Sequence, residues 1–262
     1  MIIDVKNTPL FAATGGQEFD QRKPSILFLH GAAMDHTAWV LQSRYFAHHG
    51  FNVFALDLPG HGKSGGDIPA SIDDMADWVI AFMDANGIQS AALVGHSMGS
   101  LTALSVAGRY PERVTKLAMI GVAYPMMVGE DFLNKAKDND PAAYQMMIDW
   151  SHARPSHIGA SEVPGLWMIG NALRTVENSG DNSLYQGLSI CSGYTGGFDA
   201  AENISCPTLF ILGSKDMMTM PRAAQKLIQA IPDSKTVMLE NCGHMQMIEK
   251  AQDVRSALTS FL

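Results

Sequence analysis

Cysteine is scarce and basic charge is in short supply in this 262-residue sequence. The three cysteines, Cys191, Cys206 and Cys242, are odd in number, widely spaced and form no C-x-x-C pair. That excludes zinc held by paired cysteines and argues against a disulfide framework in a chain of this size. Lys and Arg number 18 against 26 Asp and Glu, a formal net charge of −8, and no basic cluster or nucleic-acid motif interrupts the chain. Without a field that attracts polyanions, neither nucleic acid nor an anionic membrane surface is an expected partner. No apolar run approaches the roughly 20 residues of a spanning helix. The opening residues, Met1-Ile2-Ile3-Asp4-Val5-Lys6, lack the charged and apolar regions of a secretory signal. A cytoplasmic protein is therefore the expectation. Internal repeats are absent as well.

What is present is apolar: 47% of the residues are hydrophobic, enough for a substantial core in one large α/β domain or one domain carrying an insertion. Strand-like and helix-like segments alternate, as in a mostly parallel sheet covered by helices. Strands are expected in two pieces over 2–13, turning at Asn7-Thr8-Pro9, then at 25–29, 51–58, 91–95 and 114–122. Helices are expected at 37–49, at 71–86 behind a Ser71 cap with Asp73 and Asp74 in the first turn, and at 98–110. Between about 123 and 203 no convincing strand appears, and helices are expected near 129–137, 141–152, 164–176 and 181–191. Alternation resumes with a strand at 208–212, a helix at 221–230, a strand at 235–240 and a helix at 248–262. An all-helical stretch inserted between two strands of a parallel sheet looks like a cap.

The pattern G-x-S-x-G is weak alone and occurs twice, as Gly62-Lys63-Ser64-Gly65-Gly66 and Gly95-His96-Ser97-Met98-Gly99. Nucleophilic chemistry needs the serine on a sharp strand-to-helix turn, where Oγ is exposed and the next N–H lies at a helix N-terminus. Ser97 meets that need, with Ala91-Ala92-Leu93-Val94 before it and Leu101-Thr102-Ala103-Leu104 after it. Ser64 is followed by Asp67-Ile68-Pro69, which cannot continue a helix at once, and reads as a loop residue. Strand 25–29 runs into His30-Gly31-Ala32-Ala33, so the Ala32 N–H is the expected partner of the Met98 N–H in an oxyanion hole.

A base held by an acid must follow the serine. Of nine histidines, only His244 lies after Ser97 and beyond the helical stretch, in Asn241-Cys242-Gly243-His244-Met245. His152 and His157 fall inside that stretch and read as solvated helix residues. Asp216, in Leu212-Gly213-Ser214-Lys215-Asp216, follows a buried strand and is the acid candidate; Glu130 and Asp131 are the fallbacks. Loops leaving the C-terminal ends of parallel strands are where such sheets place catalytic groups.

Five segments in order carry a family resemblance: Leu29-His30-Gly31, Asp57-Leu58-Pro59-Gly60-His61-Gly62-Lys63-Ser64, Gly95-His96-Ser97-Met98-Gly99, Leu212-Gly213-Ser214-Lys215-Asp216 and Gly243-His244-Met245. Over nearly its whole length the chain resembles the α/β-hydrolase family. Ser100 stands where many relatives with this elbow have another Gly, a departure that leaves the chemistry alone. The resemblance implies an α/β fold: an eight-stranded, mostly parallel sheet with helices on both faces, formed by 1–122 and 204–262, with a helical cap over 123–203. It also makes Asp57, His61 and Ser64 structural residues near the site mouth.

On this reading His244 removes the Ser97 proton, Asp216 orients the imidazole, and an acyl-enzyme is cleaved by water, with no metal or organic cofactor. Methionine makes adaptable apolar walls, and Met34, Met126, Met127, Met147, Met217 and Met245, with Trp167, are the expected substrate contacts. A small-to-medium, largely apolar carboxylic ester is the expected substrate and partner. Residues 124–203 hold ten Asp and Glu against four Lys and Arg, a poor attractor of polyanionic substrates. Arg154 or Arg174 could still clamp one carboxylate in a carbon–carbon bond hydrolase of a diketo acid. A ligand-binding protein on the same scaffold is the alternative of another class, since fold does not settle function.

Overall fold

The computed structural model describes residues 1–262. Eight strands form one sheet: β1 (Ile2–Val5), β2 (Thr8–Ala13), β3 (Ser25–Leu29), β4 (Asn52–Leu56), β5 (Ala91–His96), β6 (Val114–Ile120), β7 (Thr208–Gly213) and β8 (Ser234–Leu239). Their order is β1-β2-β4-β3-β5-β6-β7-β8. β1 and β2 form an antiparallel hairpin, β2 is antiparallel to β4, and all other pairs are parallel. The hairpin turns at Lys6 and Asn7, both left-handed (φ 53° and 61°), as a two-residue turn matched to strand twist requires. The turn therefore precedes Thr8 and Pro9, which lie in β2. Pro9 is tolerated there because β4 pairs only with Ala12 and Ala13.

Every residue of β3, β4, β5 and β7 is buried, the consequence of covering a parallel sheet on both faces. Alternation along the strands divides the core in two. Leu27, Leu29, Leu93 and Leu117 face the helices Ile72–Ala85 and Met98–Arg109, while Ile26, Phe28, Ala92 and Val94 face Trp39, Phe46, Val254 and Leu258. Ser71 caps the first of those helices by accepting from the Asp74 N–H. The expected helix at 37–49 is a 3₁₀ turn, His36–Trp39, leading into Val40–Ala47. The C-terminal helix is likewise divided, into Gln246–Glu249 and Ala251–Phe261.

Between β6 and β7 the chain forms helices Glu130–Lys137, Pro141–Ser151, Arg154–His157, Met168–Glu177, Ser183–Gly193 and Gly197–Glu202, and no strand. The short third and sixth helices escape a reading based on periodicity, which needs more than one turn to register. Phe132, Ala143, Met147, Val176, Leu184 and Leu188 give the insertion a small core, shared with Ala33 of the loop after β3. The last helix instead packs on the sheet-covering helix Met98–Arg109, where a Cβ on Gly108 would lie 2.5 Å from Ala200 Cα. No helix is long and apolar enough to cross a membrane. All three cysteines are free and buried.

Candidate active site

β5 delivers the chain to Ser97 and the helix Met98–Arg109 carries it away. Ser97 itself takes φ 54°, ψ −117°, a region that residues with a Cβ rarely occupy and that is held only where the surroundings enforce it. The surroundings are tight. A Cβ on Gly95 would collide with the Gly99 carbonyl, and one on Gly99 would collide with the carbonyl of Leu29 at the end of β3. From residue 91 to residue 107 every side chain is buried except that of Ser97. The elbow presents this one hydroxyl at the surface of a closed core, and its Oγ makes no hydrogen bond within the protein.

Two backbone donors adjoin it. Ala32 and Met98 are both buried, and neither N–H has an acceptor among the backbone hydrogen bonds; the same holds for Ala33 and Gly99 next to them, while Met34, Ser97 and Ser100 are paired. Met98 opens its helix, and the first N–H groups of a helix have no intrahelical partner, so its N–H is available to an anionic group there. Gly31 keeps the loop close to the elbow, since a Cβ there would lie 3.3 Å from Ser97 Cβ.

His244 reaches the elbow from the loop after β8. Its ring packs on that of His96 with centroids 4.5 Å apart, and His96 Nε2 donates to the His244 carbonyl at 2.9 Å. Ser97 N–H donates to Ile120 O, and a Cβ on the next residue, Gly121, would lie 3.0 Å from His244 Nδ1. The imidazole thus sits beside Ser97. Its Nδ1 donates to Asp216 Oδ2 at 2.8 Å, leaving Nε2 as the free nitrogen. Asp216 is buried and saturated with donors: Oδ1 accepts from the N–H groups of Met218 (2.8 Å) and Thr219 (2.7 Å), and Oδ2 from Thr219 Oγ1 (2.7 Å). Burial pushes its carboxyl upward, but the charge and hydrogen bond of His244 and the Thr219 donors prevail and hold it down at about 2. Burial pushes the His96 imidazole well below its ordinary range, so it is neutral. A free hydroxyl, an imidazole and a buried carboxylate in this order can pass a proton from oxygen to nitrogen while stabilising the imidazolium.

The other expected residues divide. Met34, Met147 and Met245 come together with Thr37, Ile148 and Val176 around a nearly closed cavity of about 20 Å³. Met34 sulfur abuts Gly31 beside Ser97. Met126 is instead part of the core, while Met127, Trp167 and Met217 are exposed, so these four do not line that cavity. Composition counts methionines but not the faces they occupy; the neighbours Met126 and Met127 point opposite ways. His152 is not solvated but buried, with Nδ1 within 3.1 Å of Ile148 O. Glu130 and Asp131 are exposed in the first turn of their helix, where Asp131 pairs with Lys135. Ser64 donates to Asp57 O (2.6 Å) and accepts from Phe11 N–H (2.9 Å), a loop tie as expected. Sequence reasoning missed Thr219, His96 as a tie to His244, and Glu249; only Thr219, three residues after Asp216, had a local signal, that of a side-chain-capped turn.

The model of the alpha/beta hydrolase fold family matches residues 24–158 and 123–251. The chain belongs to the α/β hydrolase fold family. Its activity is of the hydrolase class, on the strength of that membership and of relatives named for hydrolysis. An (E)-2-((N-methylformamido)methylene)succinate hydrolase of Acinetobacter baylyi is 26% identical over 247 residues, covering 90% of this chain and 89% of that protein. A pimeloyl-[acyl-carrier protein] methyl ester esterase of Neisseria meningitidis is 26% identical over 219 residues, 80% of this chain and 82% of its own. The crystal structure of an enol-lactonase from Burkholderia xenovorans superposes with TM-score 0.87 at 21% identity, covering 100% of this chain and 99% of that one. At that identity the likeness is one of fold.

Proposed function

We propose that this hydrolase is a serine esterase acting on small-to-medium, largely apolar carboxylic esters. His244 Nε2 takes the proton of Ser97 Oγ as the oxygen attacks the ester carbonyl carbon. The carbonyl oxygen becomes an oxyanion held by the N–H groups of Ala32 and Met98, and Asp216 stabilises the imidazolium. His244 returns the proton to the leaving alcohol. A water molecule, activated by the same nitrogen, then attacks the acyl-enzyme and releases the acid. The observation that carries this reading is the strained elbow that exposes the Ser97 hydroxyl at a helix start, beside an imidazole whose Nδ1 is held by the buried Asp216.

Two further observations favour an apolar ester over the diketo-acid alternative. The cavity lined by Met34, Met147 and Met245, whose Met34 abuts Gly31 of the loop after β3, has no Lys or Arg in it. Arg174 is exposed and pairs with Glu177, and Arg154 is exposed on an open groove behind Asp216. Neither is placed to clamp a carboxylate near Ser97. The test is steady-state hydrolysis of p-nitrophenyl acetate, butyrate and octanoate by the wild type and Ser97→Ala. Wild-type turnover that disappears in Ser97→Ala and falls toward octanoate is the expected result. Turnover that survives the substitution would remove Ser97 from the mechanism, and none by either protein would remove the esterase.

A further inference from the structure

Glu249 lies five residues after His244, is buried, and accepts three hydrogen bonds. Its Oε2 accepts from the Ala153 N–H (2.8 Å) and the Ser156 hydroxyl (2.7 Å), both in the insertion. Its Oε1 accepts from the Gly243 N–H (3.0 Å), one residue before His244. The same two pieces of chain meet again next door, where Ser151 O accepts from the N–H groups of His244 (2.7 Å) and Met245 (3.1 Å). They touch without any gap. A Cβ on Gly243 would fall 2.6 Å from Ala153 N and 2.7 Å from Glu249 Oε1, and one on Gly213 of β7 would collide with the Gly243 carbonyl. The His244 loop is thus pressed between the end of β7 and residues 151–156, with one carboxylate joining both sides.

We infer that Glu249 is a positioning residue: its carboxylate clasps residues 153–156 of the insertion to the Gly243–His244 backbone, and this fixes His244 for proton transfer with Ser97. The inference rests on the esterase reading for its kinetic consequence, but not for its structural one. Residues 151–156 are on this account a fixed wall of the site, and any opening of the insertion pivots elsewhere. Three donors on two oxygens make the clasp asymmetric. In Glu249→Gln the amide oxygen satisfies the two donors of Ala153 and Ser156, which turns the NH₂ group toward the Gly243 N–H, donor against donor. The substitution therefore releases the catalytic loop while leaving the insertion attached. A purely structural glutamate would show no such one-sidedness.

The test is amide hydrogen exchange together with kinetics on Glu249→Gln and Ser156→Ala. In Glu249→Gln the Gly243 and His244 amides are expected to exchange faster while Ala153 stays protected. kcat is expected to fall by about tenfold or more, with KM within about twofold, since a displacement of an ångström can cost up to a hundredfold. Ser156→Ala keeps the Gly243 bond and is expected to lose less kcat than Glu249→Gln. Unchanged exchange at Gly243, or an unchanged kcat in Glu249→Gln where the wild type turns over, overturns the clasp. So does a loss confined to melting temperature. If the wild type hydrolyses no ester, the esterase reading falls while exchange at Gly243 and Ala153 still decides the clasp.

Discussion

Gly187 of the helix Ser183–Gly193 lies directly over Ala32: a Cβ on the glycine would fall 2.6 Å from the alanine Cβ and 3.5 Å from the Met98 sulfur. The insertion therefore rests on Ala32 and Met98, the two residues proposed to hold the oxyanion. Glycine inside a helix costs up to about 1 kcal/mol relative to alanine, so this position is kept small by packing and not by helix propensity. Gly187→Ala adds a methyl where none fits, and overpacking of that kind costs about 1–3 kcal/mol. The net expectation is a small loss of stability with a larger loss of kcat, because the displaced Ala32 N–H is half of the proposed oxyanion site. Kinetics and thermal melts on one preparation check it; a more stable variant with full activity would show that the contact is loose.

Asp216 predicts a pH signature. Its carboxyl is lowered from 3.8 to about 2 in the fold by His244 and the Thr219 donors against the upward push of burial, which corresponds to about 2 kcal/mol. A carboxyl with a depressed folded value contributes stability above its unfolded value and loses it as pH falls through the folded one. Urea unfolding of the wild type and Asp216→Asn should therefore differ most above pH 4, with the gap narrowing between about pH 4 and pH 2. The same variant should lose on the order of 10⁴ in kcat through the wrong imidazole tautomer. A gap constant with pH would mean that the Asp216 charge does not support the fold.

The elbow stores strain that a substitution can release. Ser97→Ala removes the hydroxyl but keeps a Cβ at φ 54°, ψ −117°, whereas Ser97→Gly removes both. Relief of such a conformation is worth about 1–3 kcal/mol, offset by about 0.5–1 kcal/mol for the glycine's added freedom when unfolded. Both variants should be inactive, and the glycine variant should melt about 2–4 °C above the alanine one. Equal melting temperatures would show that the strain is no larger than the glycine's offset of about 0.5–1 kcal/mol.

The sheet was legible because β3, β5 and β7 are short apolar runs bounded by Gly and Pro, and covering both faces leaves them no other fate. Ser97 and Asp216 stood out because each follows such a run, and His244 because no other histidine follows Ser97 beyond the insertion; His244 and Asp216 meet in the structure. The insertion was legible only as helices. Which of its faces meet the core depends on contacts between distant segments, such as Gly187 with Ala32, Ala153 with Glu249 and Ser151 with His244, and no local pattern encodes them. The methionines show the limit most clearly. Met126 and Met127 have the same chemistry and adjacent positions, yet one is core and the other solvent-exposed.

That division yields the last prediction. Met147 and Met34 close a cavity with room for little more than one water, about 20 Å³. Methionine is flexible enough to yield to a short acyl chain, but a long chain needs one of these side chains to leave. Met147→Ala opens the cavity at a cost of about 2–5 kcal/mol in stability, and is expected to raise octanoate relative to acetate turnover by about tenfold, the 1.4 kcal/mol gained from burying roughly two more methylenes. Met147→Leu nearly conserves volume and should leave the ratio within about twofold. Met127→Ala, at an exposed position, should change neither ratio nor rate. If the chain-length preference moves with Met127 and not with Met147, the acyl group lies on the outer surface of the insertion and not in the cavity behind Met34.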